Sequence, residues 1–305
     1  MYQVPPEIIQ AIARYSSESD IAHIISVNKK LADILTSSLY ERNARSGSSA
    51  LLWAAENGRL STAKRVLHFQ QVNIRDRLGR TPLSLAAENG HQAVVKLLLA
   101  TKKVNSDSRD VDHRTPLSLA AANGHHTIVG LLLATNQVNV DSRDKKGRTP
   151  LSRAAENGHQ ATAGLLLATN KVNSDSRDSW DRTPLSRAAA NGHQTVVELL
   201  LATNNVNVDS RDMEDGTPLS LAAANGHQTV VELLLATRKV DVDSRDSWGQ
   251  TPLSRAAASG HQTIVKLLLA TNQVNVDSRD MDDRTPLSWA TENGHQTVVE
   301  LLLAT

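Results

Sequence analysis

The triplet Thr-Pro-Leu begins at Thr81, Thr115, Thr149, Thr183, Thr217, Thr251 and Thr285, each copy 34 residues after the one before. A fixed period of this length makes every unit solve the same folding problem with the same few residues. It marks a stacked array rather than a closed globule. An eighth, degenerate copy, Ser49-Ala50-Leu51 leading into Ala54-Ala55-Glu56-Asn57-Gly58, sits 32 residues before Thr81 because its loop is shorter. The length of 305 residues would otherwise suggest two ordinary domains, but it is a poor guide when a sequence repeats.

Residues 81–114 show how one period works. Thr81 followed by Pro82 is an N-cap with a proline at the first helical position. Leu83, Ala86 and Ala87 give a short first helix one narrow apolar stripe, and the alanines permit close helix approach. Asn89-Gly90 tolerates positive φ and stops that helix. A second helix, from about Gln92 to Ala100, carries Val94, Val95, Leu97, Leu98 and Leu99. The stretch from Val104 to Asp110 is polar, extended and rich in turn formers. Helices of about eight or nine residues, roughly 12–14 Å long, are marginal alone in water. The Val/Leu face must therefore be covered by the neighbouring unit, which makes stability a sum of nearest-neighbour interfaces.

The motif Thr-Pro-Leu-Ser-x-Ala, followed by Asn-Gly-His and Val-Val-x-Leu-Leu-Leu, closely resembles the ankyrin repeat, with Ser where that family has His and one extra loop residue per period. Tetratricopeptide repeats share the period but want Trp, Leu-Gly and Tyr in the first helix, and these are missing. The resemblance covers roughly residues 49–305. It implies an all-α solenoid of about eight helix-turn-helix repeats, paired antiparallel, with a β-hairpin-like loop projecting from each junction. It also implies a module that binds other proteins and is not an enzyme.

Residues 1–46 do not repeat, so the chain divides into 1–46 and 47–305. Three short amphipathic helices fit the first segment: one through Ile8, Ile9 and Ile12, one capped by Ser19-Asp20 with Ile21, Ile24 and Ile25, and one from Asn28 to Tyr40 with Leu31, Leu35 and Leu39. Val4-Pro5-Pro6-Glu7-Ile8, Asp20-Ile21, Val27-Asn28-Lys29 and Leu39-Tyr40 resemble an F-box as fungal variants write it. Arg14-Tyr15-Ser16 replaces the Leu-rich end of the first helix, and the usual Trp of the third is absent. The resemblance implies docking on a Skp1-type adaptor of a cullin ubiquitin ligase through Val4, Pro5, Ile8, Ile12 and Ile21. The alternative is a helical cap that only covers the first repeat, as a solenoid end requires.

Composition excludes several function classes. A net charge of +1 gives no global attraction to nucleic acid or anionic membrane. Without cysteine there is no disulfide framework, Cys-ligated zinc or thiol nucleophile. The N-terminus lacks the pattern of a secretory signal, and no apolar run approaches the roughly 20 residues that span a bilayer. A cytoplasmic or nuclear location is expected, with no cofactor.

His91, His125, His159, His193, His227, His261 and His295 recur at one position. Metal ligands must converge within a few ångströms, whereas units in a stack are about 10 Å apart. A turn role, bonded to nearby backbone, is expected instead. The serines of Thr-Pro-Leu-Ser have no repeated acid-base partner, and near-identical units do not build the asymmetric cluster that catalysis needs. Asp-Ser-Arg-Asp recurs from Asp107 to Asp277 and is expected to pair charges between stacked loops, with each pair contributing about 0–1 kcal/mol.

The informative positions vary while the frame holds still. Before each Thr-Pro-Leu stand Arg77-Leu78, Val111-Asp112, Lys145-Lys146, Ser179-Trp180, Met213-Glu214, Ser247-Trp248 and Met281-Asp282, all at loop tips. Arg80, Arg114, Arg148, Arg182 and Arg284 add a broken basic stripe beside them. Leu78, Val111, Lys145, Lys146, Trp180, Met213, Trp248 and Met281, with Asp112, Glu214, Asp282 and the stripe, are the expected partner contacts. Trp and Met are enriched at interface cores, and packing gives them no other reason to stand at tips. The inner-helix face adds Glu88, Ala122, Glu156, Ala190, Ala224, Ala258 and Glu292. Arg153, Arg187, Arg255, Trp53 and Trp289 replace the inner-helix Leu of Leu85, Leu119 and Leu221 and are expected to pack first and recognise second. The last four units read as a duplicated two-repeat block, which predicts a 68-residue pseudo-period in surface features.

Overall fold

The structure, a computed structural model, describes residues 50–68, 71–101, 103–203 and 205–305. The segment 1–46, with Val4, Pro5, Ile8, Ile12 and Ile21, lies outside the described residues. The chain divides into two units, residues 1–111 and 112–305.

The first unit holds α1 (Ala50–Glu56), α2 (Leu60–Val66), α3 (Pro82–Glu88) and α4 (Gln92–Leu99). α1 packs on α2 and α3, and α4 packs on α3 and α2. The second unit continues with α5 (Pro116–Ala122), α6 (His126–Leu133), α7 (Pro150–Glu156), α8 (Gln160–Leu167), α9 (Pro184–Ala190) and α10 (Gln194–Leu201). It ends with α11 (Pro218–Ala224), α12 (Gln228–Ala236), α13 (Pro252–Ala258), α14 (Gln262–Leu269), α15 (Pro286–Glu292) and α16 (Gln296–Leu303). Odd-numbered helices stack in one layer and even-numbered helices in a second within this unit. The expected Val/Leu face is the core: Val196, Val197 and Leu200 of α10 and their counterparts on α12 and α14 are buried.

The inner helices begin as the sequence predicts. At Thr149 the backbone is extended, the side-chain oxygen accepts the N–H of Ser152, and Pro150 opens the helix. Ser152 Oγ in turn accepts the Thr149 N–H at 2.9 Å, which completes a capping box. The serine that departs from the ankyrin pattern thus closes the helix start. Thr149 Oγ1 also meets Ser176 Oγ of the next loop at 3.1 Å in a buried contact. This hydroxyl pair recurs as Thr183–Ser210, Thr217–Ser244 and Thr251–Ser278, tying each unit to the next.

The helix stop binds neighbours together too. Gly158 has φ +72°, and a Cβ there would lie 2.5 Å from His193 Nδ1. The His193 ring fills that space and its Nε2 lies 3.0 Å from the carbonyl of Glu156. His159, His227, His261 and His295 repeat the contact with the preceding inner helix. The histidines therefore satisfy backbone across repeats rather than within their own turn.

As the all-α reading expects, no strand forms among the described residues; neighbouring tips share one backbone hydrogen bond each, such as Ser179 N–H to Lys146 O at 2.9 Å and Met213 N–H to Trp180 O at 3.0 Å. The expected charge pairing is corrected. Among the described residues of 112–305 the arginine of Asp-Ser-Arg-Asp does not pair with an aspartate of the neighbouring loop, and the one charge pair between loops brings Arg182 to Asp212 at 3.1 Å. Arg177 donates to the Arg211 carbonyl at 2.8 Å, Arg143 donates likewise to Arg177, and Asp141 accepts the Asn173 N–H at 3.0 Å. The extended linkers carry backbone groups that no helix satisfies, and the charged side chains go to those groups first.

Candidate protein-binding surface

In residues 112–305 each tip is a tight turn built on a buried aspartate. Asp144 Oδ1 accepts the N–H groups of Lys146 at 2.8 Å and Arg148 at 3.0 Å, while Asp144 N–H bonds Arg148 O and Gly147 N–H bonds Asp144 O. The turn needs positive φ at its fourth residue, met by Gly147, Asp181, Asp215, Gly249 and Asp283. Asp178, Asp212, Asp246 and Asp280 hold the following turns in the same way. Backbone and aspartate fix the loop, so the two residues after the aspartate are released from structural duty.

The second carboxylate oxygen takes a cation or an indole. Arg148 Nε reaches Asp144 at 3.1 Å. Arg187 Nε donates to Asp178 at 2.6 Å, and Arg255 Nε to Asp246 at 2.7 Å. Asp212, whose own unit has Leu221 on the inner helix, instead receives Arg182 of the preceding unit at 3.1 Å. Asp280 receives Arg284 Nε at 3.2 Å and Trp289 Nε1 at 2.9 Å. Burial alone would push the Asp280 carboxyl up. The N–H groups of Arg284 and Asp282, the Trp289 indole and the Arg284 charge outweigh it and hold the group below the usual range.

The expected partner contacts divide accordingly. Arg114 pairs with Asp112 at 3.6 Å, and Arg148, Arg182 and Arg284 brace turns, so the basic stripe is spent inside the frame. In the first unit, Leu78 and Val111 are about half exposed and joined by a hydrogen bond from Val111 N–H to Leu78 O at 2.9 Å. In the second unit Lys145 and Lys146 stand exposed and outside any ion pair. Trp180 and Trp248 are 41% and 46% exposed, whereas Met213 and Met281 reach 67% and 77%. Glu214 is exposed beside Met213 without an ion-pair partner, and Asp282 is exposed beside Met281, with Arg284 at 2.6 Å.

The tryptophans are half-exposed for a reason sequence reasoning missed. Arg187 lies 5.6 Å from the Trp180 ring centre and Lys146 Nζ lies 5.6 Å from it. Arg255 lies 5.9 Å from the Trp248 ring, and Arg284 stacks on Trp289 at 3.9 Å. Each such contact contributes about 0.5–1 kcal/mol at an exposed site. A signal was present: both Ser-Trp tips, at 180 and 248, are followed by Arg at 187 and 255. The indole lids the buried Arg–Asp pair and shows its other surface to solvent. In residues 112–305, Trp180, Met213, Trp248 and Met281 stand exposed on turns that backbone and aspartate fix. No group of His, Asp and Glu among the described residues is placed to hold a metal ion, and no helix among them is long and apolar enough to cross a membrane.

Comparison with known proteins agrees with the geometry. The family model for ankyrin repeats (3 copies) matches residues 13–110, 101–178, 162–246 and 238–305. The crystal structure of the human ASB11 ankyrin repeat domain is similar at 28% sequence identity with a TM-score of 0.64, covering 73% of this chain and 98% of that one. No curated protein matches. With family matches running through nearly its whole length, the chain belongs to the ankyrin-repeat family of protein–protein interaction modules.

Proposed function

We propose that this chain is a target receptor: the tips of residues 112–305 hold a target protein while residues 1–46 engage a Skp1-type adaptor of a cullin ubiquitin ligase. One observation carries the target half. Trp180, Met213, Trp248 and Met281 are exposed on turns whose conformation does not depend on them, and with Leu78 and Val111 the tips hold six of the nine exposed large apolar side chains among the described residues. The F-box-like residues Val4, Pro5, Glu7, Ile8, Asp20 and Ile21 support the adaptor half.

A second reading, a scaffold or inhibitor with no adaptor, is favoured by the first family match starting at residue 13, inside that segment. Size-exclusion chromatography with a purified Skp1-type adaptor separates the two. A 1:1 complex lost on Ile8→Asp is expected, and no complex at micromolar concentration overturns the adaptor half. Trp180→Ala with Trp248→Ala is expected to weaken target capture while costing the fold only about 1–2 kcal/mol for the lost cation–π contacts. Equal capture overturns the target half.

A further inference from the structure

The second unit carries the same constellation twice, 68 residues apart. Trp180 over Arg187, with Met213 N–H on Trp180 O at 3.0 Å, recurs as Trp248 over Arg255, with Met281 N–H on Trp248 O at 2.9 Å. Each Met is followed by an exposed acid and then by an aspartate at positive φ: Glu214-Asp215 and Asp282-Asp283. With helices about 8–10 Å apart, the copies lie about 16–20 Å from each other. That is the span of about five or six residues of extended chain.

Charge identifies what fits there. The four tips at 179–181, 213–215, 247–249 and 281–283 hold five carboxylates and no lysine or arginine. The arginines beneath the tryptophans are neutralised by Asp178 and Asp246. Asp282 is paired with Arg284 at 2.6 Å, and Asp215 and Asp283 form only long pairs in solvent with Arg211 and Arg279 at 3.8 and 3.9 Å, so Asp181 and Glu214, which have no ion pair, carry most of the acidic character. The preceding tip reverses the sign with Lys145 and Lys146 and marks where this acidic row ends.

We infer that the partner held by these tips is a basic, extended segment that presents an apolar side chain beside Lys or Arg twice, about six residues apart, one for each Trp–Met subsite. This rests on the target half of the proposed function and specifies its chemistry. The two subsites are not equal. Trp180 has Lys146 on the preceding tip, 5.6 Å from its ring, whereas the residue before Trp248 in the stack is Glu214, joined through Ser247 N–H to Glu214 O at 2.9 Å. A cationic segment therefore binds more strongly at Trp248.

Fluorescence anisotropy of the full chain with synthetic peptides tests this. The two-anchor probe is Leu-Arg-Arg-Gly-Ser-Gly-Leu-Arg-Arg, the one-anchor probe replaces its second Leu by Ser, and the acidic probe replaces every Arg by Glu. Linked anchors are expected to bind at least about tenfold tighter than one, since the second contact becomes intramolecular. Added salt should weaken binding. Trp248→Ala should cost more than Trp180→Ala, and Glu214→Lys, at an exposed unpaired site, should cost about as much as Trp248→Ala while leaving thermal unfolding unchanged. The inference is overturned if the two-anchor and one-anchor probes bind alike, if the acidic probe binds equally well, or if no probe binds. Should the probes fail while the double Trp variant still loses its target, only the partner chemistry falls and the target surface stands.

Discussion

The units that begin at Thr149 and Thr183 share one backbone and put Arg at the same inner-helix position, yet the two arginines are held very differently. Arg187 donates Nε to Asp178 at 2.6 Å and Nη1 to Glu156 at 2.6 Å, with Trp180 across its face. Arg153 has only one of these acceptors, because Ala122 stands where Arg187 finds Glu156, and that one, Asp144, is already engaged. Arg148 already occupies Asp144 and contacts Glu156 at 3.4 Å, Arg153 Nε stays 3.7 Å from Asp144, and that nitrogen is buried without a hydrogen bond. Burial first, and the Arg148 charge second, push the Arg153 guanidinium down. The difference comes from the preceding inner helix, which ends in Ala122 for Arg153 and in Glu156 for Arg187, and from the tips. Lys146 occupies the place where the next unit has Trp180. The outer helices differ in parallel: α8 has Thr162, Ala163 and Gly164 where α10 has Val196, Val197 and Glu198. A residue type fixed by the repeat does not fix its energetics; the neighbours do.

The sharpest test of the contrast is Arg187→Ala. Removing one member of a buried pair leaves Asp178 charged and short of its main partner, a loss of about 3 kcal/mol. Urea denaturation followed by circular dichroism should show it, and an unchanged midpoint would place Arg187 and Arg153 in the same class. Thr162→Val works the other way. The Thr162 hydroxyl is buried without a partner, and the shape-matched Val is what α10 carries at that position. A gain of about 1–2 kcal/mol is expected, read as slower hydrogen exchange across α8. Arg153→Leu should then gain about 1 kcal/mol by removing an unsatisfied buried nitrogen. The stack already accommodates Leu at this position in Leu119 and Leu221. A destabilised Arg153→Leu variant would show that Arg153 holds Asp144 despite its long contact.

Much of this frame was legible in the sequence, because each of its steps is local. Thr-Pro sets a helix start, Asn-Gly sets a stop, and the Val/Leu face must meet a neighbour whatever lies further off. The exposure of Trp180, Met213, Trp248 and Met281 followed from position alone. What stayed hidden depends on geometry across units. The repeated Asp-Ser-Arg-Asp gave no sign that its last Asp is buried at a turn base while its Arg serves a carbonyl 34 residues on. The neighbouring aspartates already blunted the stripe of Arg148, Arg182 and Arg284 in the sequence, but which acceptor each arginine reaches was invisible in one dimension. The role of Ser152 as partner to the Thr149 cap needed the three-residue spacing to be read as a capping box rather than as a departure from the family pattern.

The smallest predicted effect separates the two outer helices by backbone alone. Gly164 lies inside α8, and a Cβ built there has only Leu199 Cδ1 within reach, at 3.9 Å, an ordinary contact. Gly in a helix interior costs about 0.5–1 kcal/mol relative to Ala, because it loses more chain freedom on folding. Gly164→Ala should therefore stabilise the α8 unit by about that much while α10 stays as it was. Native-state hydrogen exchange resolves the two helices separately, as a global melting curve of a repeat array does not. If α8 amides slow and α10 amides do not, the weakness of the 149–167 unit lies partly in its chain entropy. If both slow equally, the two units open together, and the contrast between them belongs to side-chain chemistry only.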